Sequence, residues 1–451
     1  MWNIYDISYG AGLALTSPLW LCHGRMRRKV LAALRQRMGD VPARADADAK
    51  PAVLIHAVSL GELNAARALI RRLGELRPDV RIIVSTTTDT GFARASELFG
   101  GGGDNAPAIV RYPLDFSKPI SRLLDRMRPS LVVLVELELW PNFMLHCQRR
   151  RIPVMVVNGR LTERSFRRYR LLGPLARRMF GRLHAACVQD QTCAARFAAL
   201  GVPPERLRVT GTMKFDTAAV ERRVDGDADL ADQVGLRPAA ILGREHGEPL
   251  WVCGSTGPGE ETLVLQQYRR LLVAHPRLRL AIVPRKPERF DEVESAIRAQ
   301  GFEVVRRSKP RFTAAPAGSA AAPVILGDTM GELRKFYSLA DVIFVGRSLV
   351  DLGQQQHGSD MIEAAALGKP VVVGPWTGNF ADAMAAFRAA DAIVEVSSAD
   401  DLGTQVSRLL SDHALAEELG RRAVQVVTRC KGATERHLNE ILTALDGTAR
   451  M

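Results

Sequence analysis

The chain has 451 residues, 47% hydrophobic and 25% charged, enough for two or three packed domains and too apolar for a disordered chain. Its 62 Lys and Arg outnumber 49 Asp and Glu, a net charge of +13 that favours anionic partners: nucleic acid, phosphorylated small molecules or an anionic membrane face. Aromatic residues are only 6%, against a base-stacking platform, and the six cysteines form no CxxC pair and the nine histidines no HxxxH, so neither disulfides nor a metal centre is expected.

Ile7 to Cys22 carry no charge, a run short of the ~20 residues that span a bilayer. Arg25, Arg27, Arg28, Lys29, Arg35 and Arg37 follow it, the reverse of a secretory signal, and would hold everything downstream on the cytoplasmic side. The run reads as a membrane anchor or interfacial helix, with a buried first helix of the globular domain as the alternative. The reading taken is membrane-associated. Val41 to Lys50 is polar and suits a linker.

From Pro51 onward, short Val/Ile/Leu runs alternate with helical stretches. The runs fall at 52–58, 80–86, 108–113, 131–137, 152–158, 184–189 and 207–211. Residues 217–249 have no strand signal and read as an interdomain connection. The runs resume at 249–256, 278–284, 302–307, 323–328, 341–346, 369–375 and 392–396, and from Ser398 to about Leu445 the chain looks helical. Residues 312–323 form a low-complexity loop. This pattern predicts an α/β fold with two open parallel sheets, which bind ligands outside the carboxyl ends of their strands. No GxxxxGK[ST] occurs, and no GxGxxG follows the first strand, so a dinucleotide oxidoreductase loses ground.

Candidate residues sit at those strand ends. IHAVSLGE carries Gly61, read as permitting a tight turn, and Glu62, either a first-turn carboxylate facing the helix dipole or a group that takes a proton from a hydroxyl nucleophile. In LVVLVELELWPN, Glu136 and Glu138 fall on one side by the two-residue period, marking either a site or a solvated strand end. Asn158-Gly159-Arg160 ends the next strand. RSFRRYRLLGPLARRMFGR then carries Arg164, Arg167, Arg168, Arg170, Arg177, Arg178 and Arg182 without an acid. Interleaved apolar residues make it suit anionic lipid headgroups, although nucleic acid or plain solvent would fit the charge. In the second half, Gly254-Ser255-Thr256 and Arg285-Lys286 end strands, and Gly327-Asp328-Thr329-Met330-Gly331 is read as opening a helix whose N–H groups could cradle a phosphate. Glu363 falls in a helix expected to start near Ser359-Asp360, where it could chelate a ribose diol or simply face the helix dipole.

These motifs together resemble the Kdo transferases, bacterial enzymes that add 3-deoxy-D-manno-oct-2-ulosonic acid (Kdo) to the lipid A precursor. The resemblance spans the chain: HAVSLGE (56–62), STTTDTGFA (85–93), YPLD (112–115), ELELWPN (136–142), NGRLTERS (158–165), VTGTMKFD (209–216), IVPRKPER (282–289), LGDTMGEL (326–333) and EAAALGKPVVVGP from Glu363. It implies a GT-B architecture of two Rossmann-like domains facing across a cleft. The implied division is a membrane anchor at 1–24, a basic juxtamembrane helix and linker at 25–50, an acceptor domain at 51–216, a connection at 217–248, a donor domain at 249–430, and a helix at 431–451 crossing back to the first domain. It further implies CMP-Kdo as donor, a lipid A precursor as acceptor, the anionic inner-membrane surface as partner, and no nucleic acid, metal or cofactor.

By motif match, Glu62 is the general base of an inverting transfer, supported by Glu136 or Glu138. Ser59, Gly61, Arg160, Arg164 and Arg168 face the acceptor. Lys214, Ser255, Thr256, Arg285, Lys286, Gly327, Asp328, Thr329, Met330, Gly331, Asp360 and Glu363 face the donor. The sequence departs from the family pattern in the loop Gly353–Asp360, where Gly-Gly-His-Asn is usual, and at Lys286, Thr212 and Leu137, where His, Asn and Thr are usual. Two rivals are a nucleotide-sugar 2-epimerase of the same architecture, which would need neither anchor nor arginine-rich segment, and a nucleic-acid or membrane-binding scaffold.

Overall fold

The protein is seen in a computed structural model that describes residues 3–21, 34–44, 50–101, 103, 106–243, 245–309, 322–353 and 356–448. Two compact units emerge, Met1–Thr217 with Gly432–Met451, and Ala218–Lys431. Each is built on a seven-stranded, wholly parallel sheet.

In the first unit the strands are β1 (Ala52–His56), β2 (Arg81–Thr86), β3 (Ala108–Arg111), β4 (Leu131–Val135), β5 (Val154–Gly159), β6 (Ala185–Val188) and β7 (Leu207–Val209), in the order β3-β2-β1-β4-β5-β6-β7. Alternate residues of β1 feed two cores, Ala52 and Leu54 on one face, Val53 and Ile55 on the other. Burial on both faces is why the runs read as unbroken apolar stretches, each side chain contributing ~1.5–3 kcal/mol. The helix Leu60–Leu76 buries Leu63, Ala66, Leu69, Ile70 and Leu73 at three- and four-residue spacing. The C-terminal helix Ala433–Thr448 lays Leu438, Ile441 and Leu445 onto the same core. Its start is held by Asp216, whose carboxylate accepts the Gly432 N–H (2.6 Å) and the Thr434 N–H (2.5 Å).

The second unit has β8 (Leu250–Thr256), β9 (Arg279–Pro284), β10 (Val304–Arg306), β11 (Val324–Leu326), β12 (Val342–Val345), β13 (Val371–Val373) and β14 (Val394–Glu395), in the order β10-β11-β9-β8-β12-β13-β14. Each strand falls within one of the apolar runs. Residues read as a connection pack as part of this unit. Leu230, Val234 and Leu236 are buried, and Asp227 accepts from Arg223 (2.5 and 2.7 Å) and from the Ser338 hydroxyl (2.7 Å).

The N-terminal run forms a helix, Ile4–Leu21, tied to the first unit through its first turn. Asp6 is 2% exposed, and its carboxylate accepts from the Asn3 N–H (2.9 Å), the Ser117 N–H and hydroxyl (both 2.7 Å) and the Asn142 amide (3.2 Å). Asp6 thereby caps the helix Ser117–Met127, whose own cap residue Phe116 supplies no side-chain bond. Tyr9 stacks edge-on against Phe116 at 4.9 Å. Ile4, Ile7 and Leu15 stay exposed. Among the described residues no helix is long and apolar enough to cross a membrane. Arg25, Arg27, Arg28 and Lys29 lie outside the described residues, while Arg35 and Arg37 sit in a short helix, Leu34–Arg37.

Asp6→Ala should strip the Ser117 N–H of its cap and destabilise the first unit by about 2 kcal/mol, with Asp6→Asn recovering part. Urea unfolding checks this; a loss below about 0.5 kcal/mol would show the docking to be incidental.

Candidate active site

In each sheet the strand order reverses direction at one point, between β1 and β4 in the first unit and between β8 and β12 in the second. Helices leaving those strands go to opposite sides, opening a crevice at the carboxyl ends. Glu62, Glu136 and Glu138 follow the two strands at the first point, and Ser255 and Thr256 end one strand of the second, while the other candidates follow neighbouring strands.

After β1 the chain turns at Ser59, which caps the helix Leu60–Leu76 from an extended conformation. Its hydroxyl donates to Glu62 Oε1 (2.9 Å) and accepts from the Glu62 N–H (3.4 Å), while Glu62 Oε2 accepts the Val58 N–H (2.8 Å). The cap, not Gly61, makes the turn. Gly61 has an ordinary φ, and a Cβ there would meet only Ser59 Oγ, at 3.8 Å. Burial, then the charge of Glu136, push the Glu62 carboxyl up to about 7 against the pull of its hydrogen bonds. It is thus half ionised near neutral pH, as a proton acceptor needs. His56 in the same motif is not a base. Fully buried and stacked on Tyr112 at 4.0 Å, it is pushed down to about 3 and stays neutral.

β4 ends at Val135, and Glu136 takes a left-handed backbone (φ 62°), its N–H donating to Val157 O (2.9 Å). The two-residue alternation expected to align Glu136 with Glu138 therefore stops before either. Both carboxylates nonetheless act on Glu62. Glu138 accepts the Trp140 indole N–H (2.9 Å), and burial followed by Glu136 raises its carboxyl. Asp115, from the YPLD motif, accepts the Asn142 and Phe143 N–H groups (3.1 and 3.0 Å) and so fixes the helix Pro141–Arg149 that follows. Asn158 is also left-handed (φ 52°), and its Oδ1 takes the Met213 N–H (3.1 Å), tying the turn that carries Lys214 to β5.

Arg160 follows β5 and is half-buried. Arg164 and Arg168 lie one turn apart on the exposed side of the helix Glu163–Leu171, whose Phe166 and Tyr169 pack on the core. Glu163 precedes the acid-free stretch and pairs with Arg167 (2.9 Å) and Arg196 (3.0 Å), so part of that charge is compensated.

In the second unit Ser255 is left-handed (φ 57°) and Thr256 buried at the end of β8. Arg285 leaves β9 with its N–H on Thr256 O (3.1 Å). Exposed Lys286 opens the turn Pro287–Arg289, which Arg289 pins to Glu261 (2.7 and 3.0 Å). Glu363 stands in the short helix Ile362–Ala366, where Asp360 accepts the Ile362 N–H (2.8 Å). Burial, then Asp360, push the Glu363 carboxyl up, while Arg334 and Arg285 pull it down. Gly254 is required by contact: a Cβ there would overlap the Tyr337 ring.

Gly327–Gly331 does not open a helix; the helix that follows is Leu333–Leu339, capped at Glu332. Asp328 is committed to Arg306 (2.6 Å) and to the Ser308 N–H (2.7 Å), and the Thr329 hydroxyl goes to Glu332. Gly327 is there because a Cβ would meet Val283 and Phe336 at 2.8 and 2.9 Å. Met330 and Gly331 are exposed. Gln354 and Gln355 of the altered loop lie outside the described residues; His357 holds Asp351 (2.8 Å). Among the described residues no three His, Cys, Asp or Glu side chains are grouped to hold a metal. Sequence reasoning passed over Arg347, a left-handed residue (φ 58°) following β12, because a strand-end arginine carries no motif.

The family described as 3-Deoxy-D-manno-octulosonic-acid transferase (kdotransferase) matches residues 32–217. The 3-deoxy-D-manno-octulosonic acid transferase of Haemophilus influenzae is 32% identical over 97% of this chain and 98% of its own. The chain belongs to this family of transferases. A second relative of the same name, from Bordetella pertussis, is 33% identical over 90% of each chain. The enzyme is a glycosyltransferase, and its two parallel sheets are those of GT-B proteins. UDP-GlcNAc 2-epimerase of Neisseria meningitidis aligns with it at a TM-score of 0.56, covering 87% of this chain and all of that one, at 15% identity. That likeness is one of fold, so the epimerase reading is not favoured.

The Glu62 carboxyl should titrate near pH 7, and Glu136→Gln should move its midpoint lower by removing a like charge. Carboxyl-carbon NMR, assigned by the signal lost in Glu62→Gln, reads both. An unchanged midpoint in Glu136→Gln would exclude the coupling.

Proposed function

We propose that the enzyme transfers Kdo from CMP-Kdo to a primary hydroxyl of a lipid A precursor, inverting the anomeric carbon without a metal, at the cytoplasmic face of the inner membrane. Glu62 takes the hydroxyl proton as the oxygen attacks the anomeric carbon. The bond from that carbon to the phosphate oxygen breaks, and CMP leaves as a phosphate monoester. Arg285 meets the charge that develops on it, the task a metal would otherwise perform. Lys286, Ser255, Thr256 and the backbone of the 327–331 loop line the same unit for the nucleotide, with Asp360 and Glu363 for the ribose and Lys214 for the donor from the first unit. Glu136 and Glu138 hold Glu62 in its basic range, and Ser59, Gly61, Arg160, Arg164 and Arg168 face the acceptor.

The observation that carries this reading is the Glu62 carboxylate, oriented by the Val58 N–H and the Ser59 hydroxyl and raised to about 7. Support for the membrane setting comes from the exposed Ile4, Ile7 and Leu15 of the first helix, and from Leu171, 87% exposed beside Arg168 and Arg170.

Mass spectrometry of the lipid after incubation with CMP-Kdo and a tetraacylated lipid A precursor should show a gain of one or more Kdo units. Glu62→Gln should lower the rate by ~10²–10⁴ while CMP binding stays near normal. Retention of more than about a tenth of the activity would remove Glu62 as the base.

A further inference from the structure

Beside Thr256 the second unit holds a guanidinium that no side chain among the described residues binds. Arg347 follows β12 in a left-handed backbone that favours glycine. Its N–H donates to Glu260 Oε2 (2.6 Å) and its carbonyl accepts the Gly358 N–H (2.6 Å), so the main chain is fixed on both sides. The side chain lies over Gly257, where a Cβ would meet Arg347 Cγ at 3.0 Å. Its Nε is buried without a partner, and among the described residues no carboxylate pairs with its guanidinium.

The groups around it deepen the imbalance. Thr256 Oγ1 is also buried and unpartnered. Arg285 starts from the next strand, its N–H on Thr256 O (3.1 Å), and brings a second positive charge. Glu260 is the nearby acid, and it already accepts four backbone N–H groups, from Gly257, Arg347, Ser348 and Leu349 (2.6–2.9 Å). Burial and Arg285 both push the Arg347 guanidinium below its ordinary range, with only Glu260 opposing. Two cations from the strands on either side of β8, with a buried donor nitrogen and a buried hydroxyl unsatisfied, make a place an anion would complete.

We propose that Arg347 and Arg285 together bind the phosphate of the nucleotide donor, with Arg347 as its half-buried arm and the Thr256 hydroxyl beside it. This rests on the reading of the second unit as the nucleotide-binding one. Phosphate charge grows as the sugar leaves, from a monoanionic diester toward a dianionic monoester. A second guanidinium therefore binds the departing nucleotide more tightly than the intact donor, which stabilises the transition state.

Calorimetric titration of the full-length protein with CMP and with cytidine tests this in the wild type, Arg347→Gly and Arg347→Lys. Glycine suits the left-handed backbone, so the first variant removes the charge without straining the loop. The expected result is a CMP affinity at least ~10-fold weaker in Arg347→Gly, cytidine affinity unchanged, and partial recovery in Arg347→Lys. Unchanged CMP affinity overturns the proposal. So does an equal loss for cytidine, which would mark a collapsed loop. UMP and UDP separate the two readings: if the wild type takes a uridine nucleotide in place of CMP and Arg347→Gly weakens it, the donor assignment fails and the phosphate role of Arg347 stands.

Discussion

Backbone amides left without partners where parallel strands end and helices begin must find acceptors, and in this chain carboxylates meet them. Asp6 caps the helix Ser117–Met127, and Asp115 caps the helix Pro141–Arg149. Asp216 takes the first amides of the C-terminal helix, and Glu260 takes four amides from two strand-end loops. Each joins segments far apart in sequence, so a few charged groups set where the loops at the carboxyl ends stand. Each parallel sheet places its own loops at its carboxyl edge, where such folds bind their ligands.

Glu62 belongs to the same class by its bonds and departs from it by its charge state. A carboxylate receiving a backbone N–H and a hydroxyl ordinarily titrates low. Here burial and the neighbouring Glu136 outweigh both, and the carboxyl rises to about 7. The linkage follows from the sign. A carboxyl whose folded pKa lies above its unfolded value of 4.5 favours the fold while protonated, so its stabilisation is complete below 4.5 and fades as pH rises through 7. Holding the carboxylate ionised at neutral pH costs stability, and the hydrogen bonds from Val58 and Ser59 limit the loss. Glu136, in a left-handed backbone seldom used outside glycine, is a second strain located at the same point.

What the sequence made legible was whatever is local. Each of the fourteen described strands overlaps an apolar run, β5 passing its run by Gly159, and the central ones do so because burial on both faces demands Val, Ile and Leu without a break. Glu62 was readable as a strand-end residue because it follows the first apolar run, whereas the turn was assigned to Gly61 and the Ser59 cap emerged only from the structure. Thr329 misled because it resembles a helix cap, whereas its hydroxyl turns to Glu332 and the helix waits for Leu333. Residues 218–248 lacked strand signal yet pack by helical turns such as Asp227–Gln233. The Asp6–Asn142 contact links residues 136 positions apart, and no local pattern announces it. Arg347 was invisible for a related reason: its meaning lies in φ and in missing partners, neither of which a sequence displays.

The first helix and the carboxylate cluster share one frame. Asp6 bonds to Asn142, and Asn142 in turn donates its N–H and side-chain amide to Asp115, at the start of the helix Pro141–Arg149. The cap residue of that helix is Trp140, whose indole N–H holds Glu138, one of the two acids acting on Glu62. Tyr9 of the first helix stands edge-on to Trp140 at 6.3 Å, closing the circuit through aromatic contact. A turn of helix with exposed Ile4 and Ile7 is thus joined to the charge environment of Glu62 by two hydrogen bonds and the chain segment Trp140–Asn142 between them. A contact that moved this turn would therefore bear on Trp140, and through its indole N–H on the Glu138 carboxylate that acts on Glu62.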